Sequence, residues 1–249
     1  MNHEISLTLA CVVGYLLGSL SFARIVIRLF APSAQVHAHA VSLDEGTAAA
    51  SVSGVGGTSA AAVLGPRYGL LVVGLDMLKV AVPVLLFRLA FPGTYYYLLV
   101  ALAGIVGHNW PIYYRFRGGR GFSCTLGALV VIDPLAVVVT PLLALFIGTV
   151  FARSVTIAYV GWLPLLIPWF WIRTGEAALI LFAVALNVLF ALATWPEIAE
   201  ILRYRREGRL DDYVAALESS SVQRRAIQRM IERFDIRTRI QTLRKNLSE

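Results

Sequence analysis

The stretch GHNWPIYYRFRGGRGF (107–122) concentrates the residue types that could do chemistry. Gly118, Gly119 and Gly121 surround Arg117 and Arg120. A glycine-rich turn lets successive backbone N–H groups face one concavity, which suits an anion. Arginine adds bidentate contact to a phosphate. The spacing reads as a phosphate cradle. The plainer reading is a tight cytoplasmic loop carrying topogenic arginines. His108, a helical turn or two earlier, is either a general base or a tie to backbone carbonyls of neighbouring helices.

Three further groups could contribute. In LDMLKV (75–80), Asp76 and Lys79 are three apart, so they share one helix face and can pair. Ionisable residues inside an apolar segment are costly and are kept for a reason, functional or structural. The stretch SVSGVGGTSAAAVLG (51–65) offers Ser53, Thr58 and Ser59 on a glycine-rich backbone. Gly18-Ser19 allows close helix approach. A fourth group, His37, His39, Asp44 and Glu45, has the atoms for a metal, but its spacing fits no known ligand pattern, so no metal is expected. Cys11 and Cys124 offer neither metal spacing nor a disulfide framework. No Ser-His-Asp arrangement is evident.

The elements that must position these residues are membrane helices. Of 249 residues, 58% are hydrophobic and 15% charged, against about 25% charged in soluble domains. Seven apolar segments are expected, at 5–30, 68–90, 95–114, 121–132, 134–152, 155–173 and 176–196, near the ~20 residues that cross a bilayer, or six if the short fourth is a half-helix. Asp133-Pro134 splits the fourth from the fifth. The first segment is not a cleavable signal, because its apolar run is too long and its arginines follow it. No internal repeat of the kind transporters use is visible.

Charge sets the orientation. Arg24, Arg28, Arg115, Arg117, Arg120, Arg153 and twelve basic residues between Arg203 and Lys245 fall on one side if the N-terminus is outside and the C-terminus inside. Arg88 and Arg173 are the exceptions. The net charge of +7 thus speaks for anionic lipid and not for nucleic acid. The loop 31–67 is cytoplasmic in this scheme, and 51–65 is too polar to lie freely in lipid, so it is expected to re-enter and line a polar site. The chain divides into a membrane body, 1–196, and a cytoplasmic tail, 197–249. In the tail Val222, Ile227, Met230, Ile231, Phe234, Ile240 and Leu243 can share one helix face opposite arginines, which fits a helix lying on anionic lipid. The alternative is a charged helix packed on the protein's own loops.

With these residues in view, the sequence resembles the bacterial membrane acyltransferases that move an acyl chain from acyl-phosphate to glycerol 3-phosphate. The matching stretches are YLLGSLSF (15–22), SGVGGTSA (53–60), GLLVVGLDMLKVAVPV (69–84), GHNWPIYYRFRGGRG (107–121) and RSVTIA (153–158). The resemblance implies an all-α protein of seven membrane helices in the cell (inner) membrane, a site open to the cytoplasm, and neither cofactor nor metal. It implies that Gly118, Gly119 and the glycine-rich loop hold phosphates. Arg120 stands where the family has a phosphate-binding lysine, Ser53 at the serine of G-S-G-N, Thr58 and Ser59 near its polar end, and Thr156 where a serine is usual. His108 and Arg120 are the expected catalytic pair. Ser53, Thr58, Ser59, Arg67, Lys79, Arg117, Gly118, Gly119 and Thr156 are the expected substrate contacts.

Two departures stand out. The family's arginine after the glycine loop is replaced by Ala60-Ala61-Ala62, leaving Arg67 as the nearest substitute. The family's His and Asn at the end of the last helix give way to Ala193-Thr194-Trp195-Pro196-Glu197. The expected activity is transfer to glycerol 3-phosphate, forming lysophosphatidic acid. The alternative is a relative that binds lipid or phosphate ligands without acyl transfer.

Overall fold

Large apolar side chains cover the outside of this molecule and small ones fill its inside. In the computed structural model, Ile172 is 82% exposed, Leu70 73% and Trp171 69%, whereas Ala10, Ala60, Ala128, Ala136 and Ala183 are wholly buried. Water would penalise such a surface, and lipid does not. The structure describes residues 3–34, 39–41, 50–52, 54–211, 213 and 226–231.

Eleven helices follow in chain order among these residues: α1 (His3–Gly18), α2 (Phe22–Phe30), α3 (Gly57–Leu64), α4 (Pro66–Ala90), α5 (Tyr96–Asn109), α6 (Phe122–Ile132), α7 (Pro134–Phe146), α8 (Val155–Val160), α9 (Trp162–Arg173), α10 (Ala177–Ala193) and α11 (Trp195–Arg206). A short antiparallel ribbon, β1 (His39–Val41) with β2 (Ala50–Val52), precedes α3, with His39 opposite Val52. Among the described residues no other strand occurs.

Each expected segment has its helix, with local differences. The first is broken at Ser19–Ser21, between α1 and α2, where the Ser19 hydroxyl donates to Tyr15 O at 2.8 Å. The fifth ends in a π turn, Ile147–Phe151. The sixth is divided at Gly161 between α8 and α9. The break at Asp133-Pro134 is where the sequence places it. Asp133 accepts from the Leu135 N–H at 3.2 Å, capping α7, and Pro134 fills its first turn. By length and composition, three helical runs can cross a membrane: His3–Phe30, Pro66–Ala90 and Pro134–Phe151. The pair Ala177–Ala193 and Trp195–Arg206, bent by 58°, makes a fourth if it is one span.

Close helix contact comes from glycine. A Cβ on Gly18 would overlap the Gly104 backbone, and one on Gly107 would overlap Tyr15 O, so α1 and α5 pack backbone to backbone. Around this pair the core joins α4, α6, α9 and α10 through Val80, Val84, Ile105, Leu129, Leu166, Phe170 and Phe182. A smaller cluster, Ala23, Val26, Ile27, Val55, Ala60 and Val72, fixes α2 and α3 to α4.

Candidate active site

The site begins with a buried lysine. Lys79, midway along α4, places its Nζ 2.7 Å from Asp76 Oδ1, 2.7 Å from Leu20 O and 2.9 Å from His108 Nδ1. Of its three protons, two serve Leu20 O and His108 Nδ1, while Asp76 is met as an ion pair whose Oδ1 makes no well-aligned hydrogen bond. Its positive charge cancels the Asp76 carboxylate in a place where either alone would be costly. The Leu20 carbonyl is free to accept because the helix is broken there. Asp76, His108 and Cys124 each bring a possible ligand atom within 4.8 Å of the others. The Lys79 ammonium stands between the first two, supplying the charge that a cation would supply.

His108 carries this cluster to the glycine turn. Since Nδ1 accepts from Lys79, the ring proton belongs on Nε2. That nitrogen faces Gly119: a Cβ on Gly119 would overlap the imidazole, and one on Gly118 would overlap His108 O. The Gly119 N–H donates to His108 O at 3.0 Å, and the Val55 N–H donates to Gly118 O at 3.0 Å. Both glycine-rich stretches therefore meet, backbone to backbone, against one histidine. Gly54, at φ +150°, lies beside the Arg120 side chain, in a conformation reserved for glycine. Gly121, at φ +78°, turns the chain into α6.

Arg120 is mostly buried and forms an ion pair with Glu197 in the first turn of α11. Arg24 reaches the same turn from α2: it donates to Arg117 O at 2.6 Å, and its guanidinium lies 4.7 Å from the centre of the Tyr114 ring. Arg115 and Phe116 are held at φ 53° and 59° just ahead of it, so the arginine-bearing turn is tightly constrained.

The structure thus gathers Lys79, His108, Gly118, Gly119 and Arg120, together with Ser59, which is buried and donates to Gly54 O at 3.1 Å. The side chains of Thr58, Arg67, Arg117 and Thr156 are exposed, and Arg117 meets the cluster through its carbonyl. No hydrogen bond or ion pair joins Arg67 to another described residue. Ser53, His37, Asp44 and Glu45 lie outside the described residues, and His39 is described only as part of β1. Over 51–65 the described residues form the end of β2, a short loop at 54–56 and α3. Sequence reading missed three residues. Arg24 figured only as a topology marker. Asn109, 4% exposed with both amide atoms lacking a partner among the described residues, was passed over beside His108. Glu197 reads in the sequence only as part of a lost motif.

A family model described as Glycerol-3-phosphate acyltransferase matches residues 8–205. The chain belongs to this family. The Glycerol-3-phosphate acyltransferase of Mycoplasma mycoides subsp. mycoides SC is 32% identical over 176 residues, 67% of this chain and 63% of that one. Glycerol-3-phosphate acyltransferase 2 of Moorella thermoacetica is 39% identical over 128 residues, 51% of this chain and 59% of that one. The chain therefore spans about three fifths of the length of these curated relatives. Two crystal structures of PlsY (YgiH), an integral membrane glycerol 3-phosphate acyltransferase, share the fold. The glycerol 3-phosphate form has a TM-score of 0.61 at 21% identity, covering 82% of this chain and 94% of that one. The lysophosphatidic acid form has a TM-score of 0.62 at 22% identity, covering 82% and 93%. The acyltransferase match extends into α11, the helix that brings Glu197 to Arg120. The place of the family's arginine falls within α3, where Ala60 is wholly buried. Arg24 brings a cation to the turn from a different helix.

Proposed function

We propose that this membrane protein transfers an acyl chain from acyl-phosphate to glycerol 3-phosphate, producing lysophosphatidic acid, at a site facing the cytoplasm of the cell (inner) membrane. One observation carries the reading: the two glycine-rich stretches converge on His108 with Arg120 between them. That arrangement suits two phosphate-bearing substrates, and both the donor and the acceptor carry one.

The reaction demands little of the protein. The acceptor hydroxyl oxygen bonds to the acyl carbonyl carbon. The bond from that carbon to the phosphate oxygen breaks, and the hydroxyl proton leaves with the departing phosphate. The donor is already activated, so alignment of the two substrates supplies much of the rate. Arg120 stabilises charge as it builds on the leaving phosphate. His108 positions Gly119 and presents an Nε2–H, a donor, to the turn. With Nδ1 occupied by Lys79, a positioning role suits it better than that of a base. Lys79, bonded to Leu20 O and His108 and ion-paired with Asp76, acts through His108. Ser53, Thr58, Ser59, Arg67, Arg117 and Thr156 complete the proposed substrate contacts.

The body, 1–196, crosses the membrane seven times in this reading, and the tail, 197–249, lies at the cytoplasmic surface with its arginines toward anionic lipid. One described turn of the tail bears on this: Ile227 is buried against Val155 and Ala158, so that side of the tail rests on the protein. The second reading, a relative that binds phosphate ligands without transfer, draws on the Glu197 carboxylate already held by Arg120. Purified protein supplied with acyl-phosphate and a panel of phosphorylated acceptors separates the two by mass spectrometry. Lysophosphatidic acid from glycerol 3-phosphate is the expected product. Stabilisation by phosphate ligands without any acylated product would select the second reading.

A further inference from the structure

Glu197 has an unexpected partner. Thr194-Trp195-Pro196-Glu197 has the spacing of a helix capping box, in which the glutamate folds back onto the N-cap backbone. Here Thr194 makes no side-chain cap, its hydroxyl donates to Phe190 O at 2.8 Å, and the Glu197 carboxylate crosses to Arg120. The two side chains are 13% and 16% exposed, so water screens the pair poorly. α11 leaves α10 at 58°, which aims its first turn at the glycine turn. Glu200, one turn later, pairs with Arg203 on the same helix instead.

A carboxylate and a phosphate compete for the same guanidinium face. They also repel each other strongly when partly buried. We propose that Glu197 is the specificity-determining acid of this site: it occupies Arg120 in the resting protein, and a phosphate ligand binds there only by displacing it. This rests on the reading of Arg120 as the phosphate contact and adds to it what that contact costs. The chain would then bind glycerol 3-phosphate or inorganic phosphate more weakly than its cradle alone allows. It would favour ligands whose phosphate comes with enough further contact, such as an acyl chain, to offset the exchange.

Thermal stabilisation of the full chain in detergent by inorganic phosphate, and separately by glycerol 3-phosphate, tests this. Glu197→Gln keeps the shape and removes the charge, and should reach half-maximal stabilisation at about tenfold lower ligand concentration, the scale of one charge-assisted hydrogen bond. Glu197→Asp withdraws the carboxylate by one methylene and should shift the same way by a smaller factor. This second variant decides the matter if Glu197→Gln does not fold. Glu200→Gln should respond like the parent. An unchanged or weakened response in both Glu197 variants, with the parent responding, would overturn the competitor role and leave the cradle standing. A folded parent and folded variants that respond to neither ligand would overturn both.

Discussion

Arg120 is the residue on which the phosphate reading turns. Arg120→Ala should weaken binding of every phosphate ligand by at least about tenfold, since a charge-assisted hydrogen bond is worth roughly 1.5–3 kcal/mol. Arg120→Lys should keep part of the affinity, because a lysine supplies charge without the fork. Ligand-induced thermal stabilisation measures both, and wild-type affinity in Arg120→Ala would return the loop to a topological role. Lys79 makes a different prediction. Lys79→Met leaves Asp76 buried with its charge uncompensated and takes away the hydrogen bond to His108, a loss of about 3–5 kcal/mol. It should fall in thermal stability before any ligand is added, and Asp76→Asn in the same chain should restore part of the loss. Arg120, Gly118, Gly119, His108 and Lys79 were legible in the sequence because glycine clusters and intramembrane charges are rare and carry their own physics. Arg24 and Glu197 were not, because an arginine past a helix break and a glutamate at a helix start each have an ordinary local explanation. Only the third dimension shows that both point at one turn.

At the scale of elements, breaks proved as informative as helices. Asp133-Pro134 announces itself through proline, and the structure adds a use that pattern alone does not reveal. Besides capping α7, Asp133 accepts from Trp169 Nε1 at 2.9 Å and from Arg173 Nε at 2.8 Å. One side chain thereby ties the α6–α7 corner to the end of α9. Asp133→Ala should lose the cap, roughly 1 kcal/mol, and strand two donors. Arg173→Ala should cost less, as that arginine is 42% exposed. A double-mutant cycle in thermal unfolding should show coupling between the two, and strict additivity would remove the pair from the account. The break at Ser19–Ser21 was not legible, because its cause is distant. The Leu20 carbonyl it frees is taken by Lys79, 59 residues away. Small-residue packing at Gly18 was visible in the sequence, but its partner, Gly104, was not.

At the scale of the molecule, the two ends of the bundle differ in chemistry. One end carries the glycine turn, Arg24, Arg115, Arg117, Arg120 and the start of α11. The other carries the α4–α5, α6–α7 and α9–α10 connections, and there the two exceptions to the charge rule are each bound internally: Arg88 donates to Val131 O, and Arg173 to Asp133. The N-terminus belongs to this second end, since the His3 ring packs edge-on against Tyr96 at 5.5 Å. The tail leaves α11 at the first end. His3, at the start of α1, and the first turn of α11 thus lie at opposite ends of the bundle. The resulting prediction is directional. Cys124 is buried and Cys11 faces outward from the apolar first helix, so neither should react readily with a membrane-impermeant thiol reagent. Pro92→Cys, in the exposed α4–α5 connection, should be labelled in intact cells, whereas Tyr113→Cys, beside the glycine turn, should be labelled only after the cells are opened. A reporter fused to the C-terminus should read as cytoplasmic. Labelling of Tyr113→Cys from outside would invert the molecule, placing the phosphate cradle on the face where the proposed reaction has no substrates.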